Sequence, residues 1–302
     1  MSFVGRLLRR IRDTERLDDE TFVDLAYRFL LGRPSDEAGR RHFVGRLRGG
    51  VISRDIFLRT LVDSQEFART RLHTNLGTSI HEGRGRFVRS LPRAGRIVDL
   101  GGSCQASARG ALVELGYPYR FERLTIVDLP DGERHELYRS DGGPAVGVVQ
   151  TEQGPVDYLY QSMTTLQPIP DASVDLVYAG QSIEHVTRPE AATTCREVWR
   201  VLKAGGFFAL DTPNARITRL QQDEFIDPDH EHEYTHGELS RDLTEAGFGI
   251  VEAKGINHAG PITSRAEFSE EAVARACGLF SEIEDCYILA YVCRKPDGAP
   301  SG

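Results

Sequence analysis

The chain has 302 residues, of which 40% are hydrophobic and 27% are charged, and its formal net charge is -8 at pH 7. This composition suits one large domain with one small domain and excludes a globally disordered chain. The acidic balance argues against a dedicated nucleic-acid-binding protein, which usually carries a basic surplus. Five widely spaced cysteines without a C-x-x-C pattern predict reduced thiols and a cytoplasmic location, rather than disulfides or structural zinc.

The first twenty residues predict a short basic amphipathic helix. Phe3, Leu7, Leu8 and Ile11 would share one side of it, with arginines on the others. The segment lacks the long apolar stretch and small-residue cleavage site of a secretory signal. Two uses stay open, which are weak peripheral contact with a membrane surface and packing on its own domain. No apolar run reaches the roughly 18 residues that a transmembrane segment needs.

Residues 1–75 are predicted to form a small all-α domain. Apolar residues at helical spacing, a stop at Gly32 and new helix starts at Ser35 and Ser53 predict successive short helices. The segments FVDLAYRFLLGRPSDEAG, GVISRDIF and SQEF resemble a small helical family of unknown function, with an L-G-R-x-x-D-x-x-G pattern. The resemblance implies an accessory module attached to enzymes of surface-glycan assembly, and we expect it to bind a protein partner.

From about residue 95 onward, short apolar runs alternate with helical stretches. Seven strands are predicted, over 96–101, 124–129, 156–161, 174–180, 206–212, 249–255 and 286–293. This alternation predicts an α/β fold, namely a doubly wound, mostly parallel, Rossmann-like sheet with helices on both faces. We expect this domain over residues 76–295 and a flexible tail over 296–302.

The first predicted strand ends in a glycine pair, Gly101 and Gly102, which would let a ligand approach the backbone closely. A helix predicted directly behind the pair, ASARGALVELG, would offer free N–H groups to an anion, although a tight turn without ligand is the alternative. The third glycine of G-x-G-x-x-G is absent, which disfavours NAD. Asp128 ends the second strand, where it would accept hydrogen bonds from a ribose or cap its own turn.

Three ordered motifs resemble class I S-adenosylmethionine-dependent methyltransferases of the small-molecule branch, over about residues 90–295. They are VDLGGS, DASVDLVYAGQSIEHVTRPEAATTCREVWRVLKAGGFFALDTPN and DPDHEHEYTHGELSRDLTEAGF. The resemblance implies S-adenosylmethionine as the cofactor. It also implies a loop that contacts the methionine end of the cofactor, formed by Asp99, Gly101, Gly102 and Ser103.

The resemblance gives the remaining cofactor-binding residues by position. Asp128 would hold the ribose, and Leu129 would lie against the adenine. Ser162 stands where the family often has an Asp that bonds the adenine amino group, and Met163 would pack on the ring. The exchange lowers the expected affinity by about 0.5–1.5 kcal/mol, the value of one ordinary hydrogen bond. Gln181 would face the sulfonium.

Methyl transfer from a sulfonium is an in-line displacement, so positioning supplies most of the rate, and a base helps a hydroxyl acceptor. His185, beside Glu184 just past the fourth predicted strand, is the first candidate for the base. The alternative is that Glu184 and His185 cap the following helix and fix a loop. His232 is expected in the acceptor pocket, together with Tyr234.

The run DPDHEHE, residues 227–233, carries alternating imidazoles and carboxylates that are able to bind a divalent metal. Some relatives use an E-x-x-E-H metal motif, but Gln181 replaces its first Glu here. We therefore expect a solvated acidic lid and no metal.

Taken together, the motifs predict an O-methyltransferase that acts on a sugar hydroxyl or another small-molecule hydroxyl, with no nucleic-acid partner. The glycan context rests only on the kind of enzyme to which such N-terminal modules are attached. Three alternatives stay open, namely a methyltransferase for another small metabolite, a non-catalytic scaffold with a degenerate cofactor loop, and a nicotinamide oxidoreductase. Asp128, Glu184 and His185 argue against a scaffold, whereas Ser162 and the stretch 103–105 favour it.

Overall fold

The computed structural model describes residues 17–104, 107–134, 147–260 and 268–298, without the side chains of 68–75 and 131. The predicted N-terminal amphipathic helix, Gln105 of the loop and the end of the predicted tail lie outside these residues. The chain forms two compact units, Met1–Gly77 and Thr78–Gly302. Among the described residues, no helix has both the length and the apolar character needed to span a bilayer.

The first unit is helical, as the sequence predicts. Its helices are α1 (Asp19–Leu31), α2 (Glu37–Arg48), α3 (Arg54–Val62) and the beginning of α4 (Gln65–Ser90). Asp18 caps α1, and Gly32, as the sequence predicts, ends it with φ of 69°. Phe22 and Phe57 are fully buried and meet edge to face, so the small unit has an aromatic core of its own.

The second unit contains one sheet of nine strands among the described residues. The strands are β1 (Arg96–Leu100), β2 (Arg123–Asp128), β3 (Val149–Gln150), β4 (Pro155–Tyr160), β5 (Val174–Gly180), β6 (Leu202–Pro213), β7 (Gly249–His258), β8 (Leu279–Phe280) and β9 (Cys286–Arg294). Their order is β3-β4-β2-β1-β5-β6-β9-β7-β8. Strands β4, β2, β1, β5 and β6 run parallel, and β9 is antiparallel to both β6 and β7.

All seven predicted strands are present, but the predicted count is too low by two. The additional strands, β3 and β8, have two residues each and pair antiparallel at the two edges of the sheet. Two residues are too few to show a period of hydrophobicity, so a sequence pattern does not reveal such strands. The sheet is otherwise the doubly wound arrangement that the alternating pattern predicts.

Among its described residues, the second unit also contains the rest of α4 and five further α-helices. These are α5 (Ala111–Glu114), α6 (Arg188–Val201), α7 (Ala215–Gln221), α8 (His236–Glu245) and α9 (Glu270–Arg275). The prediction of a helix directly behind the glycine pair is wrong, because α5 begins only at Ala111 and has four residues. Gly110 explains the late start, since its φ is 84° and a Cβ there would lie 2.2 Å from Ile126 Cδ1.

The five cysteines are free thiols, three of them buried. Trp199 of α6 packs edge to face on Phe248, with ring centroids 5.1 Å apart, in the core between the sheet and its helices.

Candidate active site

The candidate site lies at the carboxyl edge of the parallel strands, where the loops after β1, β2, β4 and β5 meet. The register aligns Asp99 of β1 with Tyr178 of β5, and Gly180 of β5 with Asp211 of β6. Each residue that the sequence predicted for this site, except His232 and Tyr234, belongs to one of these strands or to the loop after it. The topology therefore brings the predicted residues to one edge.

Asp99 is a buried carboxylate under the glycine loop, only 1% exposed. Its Oδ2 accepts a hydrogen bond from Leu112 N at 3.2 Å, whereas Oδ1 has no partner among the described residues. Burial raises the pKa of Asp99 to about 8. A Cβ at Gly102 would lie 2.2 Å from this carboxylate, so only glycine lets the loop pass so closely.

Gly101 connects the loop after β1 to the loop after β5. Its φ is 71°, its N–H donates to Val127 O at 2.8 Å, and a Cβ there would lie 2.7 Å from Ser182 Cβ. Ser182 is buried, and its Oγ has no hydrogen-bond partner among the described residues. Two buried polar atoms without partners, on Asp99 and Ser182, thus belong to residues in contact with the glycine pair, as expected of a polar ligand site.

Asp128 binds both its own turn and the glycine loop. Oδ1 accepts from Leu129 N at 2.8 Å, and Oδ2 accepts from Ser103 N at 3.1 Å. Arg134 Nε lies 3.4 Å from Oδ1, and Arg134 Nη2 donates to Ser103 Oγ at 3.0 Å. The capping role that the sequence left open is therefore real. The sequence analysis did not predict a role for Arg134, because this residue belongs to no recognised motif.

Ser162 and Met163 follow β4. Ser162 Oγ lies 2.8 Å from Thr164 Oγ1 and accepts from Thr164 N at 3.2 Å, so this hydroxyl stabilises its own turn. Met163 is partly buried against the core of the domain. Both residues lie in the loop where the sequence placed the adenine, and their contacts with an adenine stay a prediction.

Gln181 is anchored to a buried ion pair that the sequence did not reveal. Its φ is 54°, and its Nε2 donates to Asp211 Oδ1 at 2.9 Å. Arg84 Nε donates to the same oxygen at 2.6 Å, and the hydroxyl of Tyr178 donates to Asp211 Oδ2. Burial raises the pKa of Tyr178 well above its ordinary value, so it acts as a donor. Arg84 comes from α4, far from any recognised motif.

Glu184 is fully buried in the 3-10 helix Ile183–His185. Its Oε2 accepts from Thr212 Oγ1 at 2.9 Å, and its Oε1 has no partner among the described residues. Burial raises the pKa of Glu184 to about 7. The carbonyl oxygen of Glu184 accepts from Glu231 N at 2.8 Å and from His232 N at 3.1 Å, which holds the run 227–233 against this helix.

His185 and His230 face each other, with ring centroids 4.9 Å apart. His185 Nδ1 lies 3.1 Å from Asp229 Oδ2, and His230 Nδ1 lies 2.8 Å from Glu233 Oε1. One possible ligand atom from each of Glu184, His185 and His230 lies within 4.8 Å of the other two. The sequence named these residue types but did not predict that His230 joins the Glu184–His185 pair.

Two expectations for this region need correction. The run 227–233 is not a solvated lid throughout, because His230 is 9% exposed and Glu233 is 1% exposed. Tyr234 is a core residue at 1% exposure, packed edge to face with His232 at 4.5 Å between centroids. The Nε2 of His232 is buried and has no partner among the described residues. Burial at these positions depends on contacts that a polar sequence run does not show.

Glu184 and His185 do not cap the helix after them. Helix α6 begins at Arg188, and Thr187 is its N-cap, in a capping box with Glu190. The capping part of the alternative for the Glu184–His185 pair is therefore wrong. The part that gives the pair a role in fixing a loop is confirmed, because Glu184 O accepts from the backbone N–H groups of Glu231 and His232.

Residues 102–210 match a family described as a methyltransferase domain, and residues 11–71 match a domain of unknown function. The segment 102–210 is therefore similar to methyltransferase domains. A probable S-adenosylmethionine-dependent methyltransferase of Mycolicibacterium smegmatis is 37% identical over 103 residues, which cover 34% of this chain and 39% of that protein. One of Mycobacterium tuberculosis is 37% identical over 114 residues, covering 38% of this chain and 40% of that protein.

The match with these curated relatives thus spans about two fifths of their length. Among solved structures, a complex of the Trm112 methyltransferase activator of Haloferax volcanii contains a chain that resembles this one with a TM-score of 0.50 and 18% identity. The similarity covers 77% of this chain and 97% of that chain. At this identity it shows that the methyltransferase domain shares a fold with that chain.

S-adenosylmethionine, the cofactor that the family implies, fits the residues of the methyltransferase domain. The unpartnered Oδ1 of Asp99 is a buried acceptor for the cofactor ammonium. Gly102 leaves the loop backbone open to close approach. Asp128 presents a carboxylate at the end of β2, where ribose hydroxyls bind in folds of this kind, although it would have to share its oxygens with Ser103 and Arg134.

Proposed function

We propose that the chain transfers the methyl group of S-adenosylmethionine to a hydroxyl of a sugar or another small molecule. The observation that carries the proposal is the pairing of His185 with Asp229 at 3.1 Å, beside the loop that would hold the cofactor. A carboxylate on Nδ1 orients the ring and keeps the proton on that nitrogen, which leaves Nε2 as the proton acceptor.

The cofactor supplies an electrophilic methyl group on a sulfonium. Asp99 would accept hydrogen bonds from its ammonium, with Gly101, Gly102 and Ser103 along the methionine backbone. Asp128 would accept from the ribose hydroxyls, and Leu129, Ser162 and Met163 would surround the adenine. Each of these assignments follows the position of the residue at the carboxyl edge of the sheet.

Gln181 would face the sulfonium. Its Nε2 donates to Asp211, so its carbonyl oxygen is the amide atom that does not bind Asp211. A carbonyl oxygen suits the positive charge of a sulfonium better than an N–H group does. Gln181 is thus a positioning residue that favours the charged cofactor over its neutral product.

His185 would remove the proton of the acceptor hydroxyl at Nε2 as the new carbon–oxygen bond forms. His232 lies beside it through the hydrogen bond from its backbone N–H to Glu184 O. The buried, unpartnered Nε2 of His232 is available to bind a second hydroxyl of the acceptor. A polyol such as a sugar has neighbouring hydroxyls that would use both imidazoles, which favours this acceptor class.

The first experiment is calorimetry of the purified protein with S-adenosylmethionine, S-adenosylhomocysteine and NAD. We expect micromolar binding of both sulfur compounds and none of NAD. A mass-spectrometric screen of sugars and other small hydroxyl compounds then follows methyl transfer. His185→Ala should keep cofactor binding and lower turnover by about 10²–10⁴-fold, the range for loss of a general base. His81→Ala, which removes an exposed imidazole, is the matched control.

Two outcomes would contradict the proposal. Absence of binding by either sulfur compound would favour the non-catalytic scaffold. Full turnover of His185→Ala would remove this residue as the base. Asp128→Ala tests the ribose assignment in the same assay, with Asp157→Ala as control, because Asp157 lies on β4 and contacts Thr125 instead.

The helical module supports a second proposal, which is that it binds a protein partner. Among the side chains that the structure describes in this unit, three large apolar ones are at least half exposed, namely Phe29, Val51 and Ile56. Exposed apolar side chains of this size mark interaction surfaces when they are contiguous. A pull-down with Phe29→Ser and Ile56→Ser, each against wild type, should lose any specific partner. A partner retained by both variants would contradict this surface.

A further inference from the structure

We propose that Glu184, His185 and His230 bind a divalent metal ion. The ligand atoms of these three residues lie within 4.8 Å of one another. A single cation that takes nitrogen and oxygen ligands would bring them slightly closer together. The sequence favoured an acidic lid at 227–233, whereas the fold places a histidine of that run against the pair that follows β5.

Both histidines carry the outer partners that metal-binding histidines have. His185 Nδ1 faces Asp229 Oδ2 at 3.1 Å, and His230 Nδ1 faces Glu233 Oε1 at 2.8 Å. A histidine that binds a metal almost always donates its other ring N–H to a carboxylate, a backbone carbonyl or water. Such bonds place the proton on Nδ1 in each ring and direct the Nε2 lone pair to the metal.

The partner of His230 is itself fixed. Glu233 is 1% exposed, its Oε1 also accepts from Ile226 N at 3.0 Å, and its Oε2 accepts from the hydroxyl of Thr218. The ring of His230 therefore has one orientation, as a metal ligand requires.

Glu184 supplies an independent reason for a cation. Its carboxylate is fully buried, and Oε2 already accepts from Thr212 Oγ1, but Oε1 has no partner among the described residues. A buried carboxylate oxygen without a partner is costly. A metal ion at the cluster would bind this Oε1 atom of Glu184. No hydrogen bond from a described histidine or backbone group does so.

The ligand set indicates the class of metal. Two imidazoles and one carboxylate suit zinc and neighbouring first-row metals, whereas calcium and magnesium prefer sites made of oxygen alone. Three protein ligands leave coordination positions open for a substrate oxygen. If the proposed methyl transfer holds, a bound metal would replace His185 as the means of activating the acceptor. It would lower the pKa of the bound hydroxyl, which would release its proton to solvent, and His185 would act by holding the metal.

The test is metal binding by the full chain after treatment with a chelator. Titration with Zn²⁺ by calorimetry, and with Co²⁺ by visible absorption, should show one ion per chain. We expect His230→Ala and Glu184→Gln each to weaken binding by at least about 100-fold. Glu233→Gln, which changes the partner of a ligand and no ligand itself, should weaken it by about 10–100-fold. His81→Ala should bind as the wild type does, because that imidazole is exposed and outside the cluster.

Cooperative thermal unfolding of each variant shows whether it is folded, and His230→Gln replaces His230→Ala if the latter is not. No binding by the folded wild type, or wild-type binding by His230→Gln and Glu184→Gln, would overturn the proposal. Metal binding does not depend on methyl transfer. A protein that binds metal but neither sulfur compound would keep this site and remove the proposed function, and the reverse result would keep the function alone.

Discussion

Arg84 and Asp211 form a buried ion pair under the carboxyl edge of the sheet, with Arg84 Nε 2.6 Å from Asp211 Oδ1. The Asp211 side chain has no exposed surface, and that of Arg84 is 15% exposed. Tyr178 and Gln181 donate to the same carboxylate. The floor of the site is therefore a charged network, and Arg84 is the cation that makes burial of Asp211 tolerable.

Loss of this cation should destabilise the domain. Arg84→Met leaves the Asp211 charge buried and uncompensated, so we expect the free energy of unfolding to fall by about 3–5 kcal/mol. Arg86→Met is the matched control on the same helix, because its partner Glu82 is exposed, and it should change stability by less than about 1 kcal/mol. Urea unfolding measures both. Equal effects would mean that the Arg84 pair contributes no more than a surface pair.

Replacement of both partners provides a further check on the pair. Arg84→Met combined with Asp211→Asn should recover part of the stability lost in Arg84→Met, since the buried charge is gone. A double variant that is less stable than Arg84→Met would contradict charge burial as the cause.

Cofactor affinity should rise with pH through the titration of Asp99. In the cofactor-free protein, burial raises the pKa of Asp99 to about 8, so at neutral pH most molecules hold its proton. The ammonium of the cofactor would pair with the ionised carboxylate, so binding should release a proton. Affinity should therefore increase by up to about tenfold per pH unit until about pH 8. Calorimetry in two buffers of different ionisation enthalpy measures the released proton.

A binding enthalpy that is independent of the buffer would contradict the Asp99 assignment. Asp99→Asn serves as the control, because it should abolish both the proton release and the pH dependence of affinity between about pH 6 and 8.

The same carboxyl group should make the free protein less stable as pH rises. Its pKa is about 8 in the folded chain, above the ordinary value of 3.8 that applies when the chain is unfolded. The contribution of Asp99 to the free energy of unfolding is therefore fully present below about pH 4 and declines as the pH rises to about 8. We expect Asp99→Asn to be more stable than wild type at pH 8, with a difference that shrinks toward pH 5. Thermal unfolding at the two pH values measures it, and a constant difference would contradict this prediction.

The glycine loop should tolerate no side chain at Gly102. A Cβ there would lie 2.2 Å from the Asp99 carboxylate, so Gly102→Ala must displace the loop or the acid. We expect cofactor affinity to fall by more than about tenfold, since a displaced loop no longer presents its backbone to the ligand. Gly132→Ala is the control, because nothing lies within 4 Å of a Cβ there. Unchanged affinity in Gly102→Ala would place the ligand elsewhere.

Much of the fold follows from local patterns. Seven apolar segments separated by helical stretches predict the seven long strands, and the order of motifs predicts that Asp99, Asp128 and Glu184 share one edge. Local patterns failed at Gly110, whose φ of 84° lies outside the helical region and leaves the helix behind the loop to begin at Ala111. They also missed the edge strands β3 and β8, which exist only through pairing with their neighbours.

The sequence by itself determined the α/β fold, the helical module and the motifs that mark the methyltransferase domain, because these depend on periodicity and on residues close together in the chain. Only the tertiary structure decided that Arg84 meets Asp211 and that His230 meets the Glu184–His185 pair. Such contacts join distant segments, and the burial that makes their charges matter arises only when the sheet and its loops are assembled.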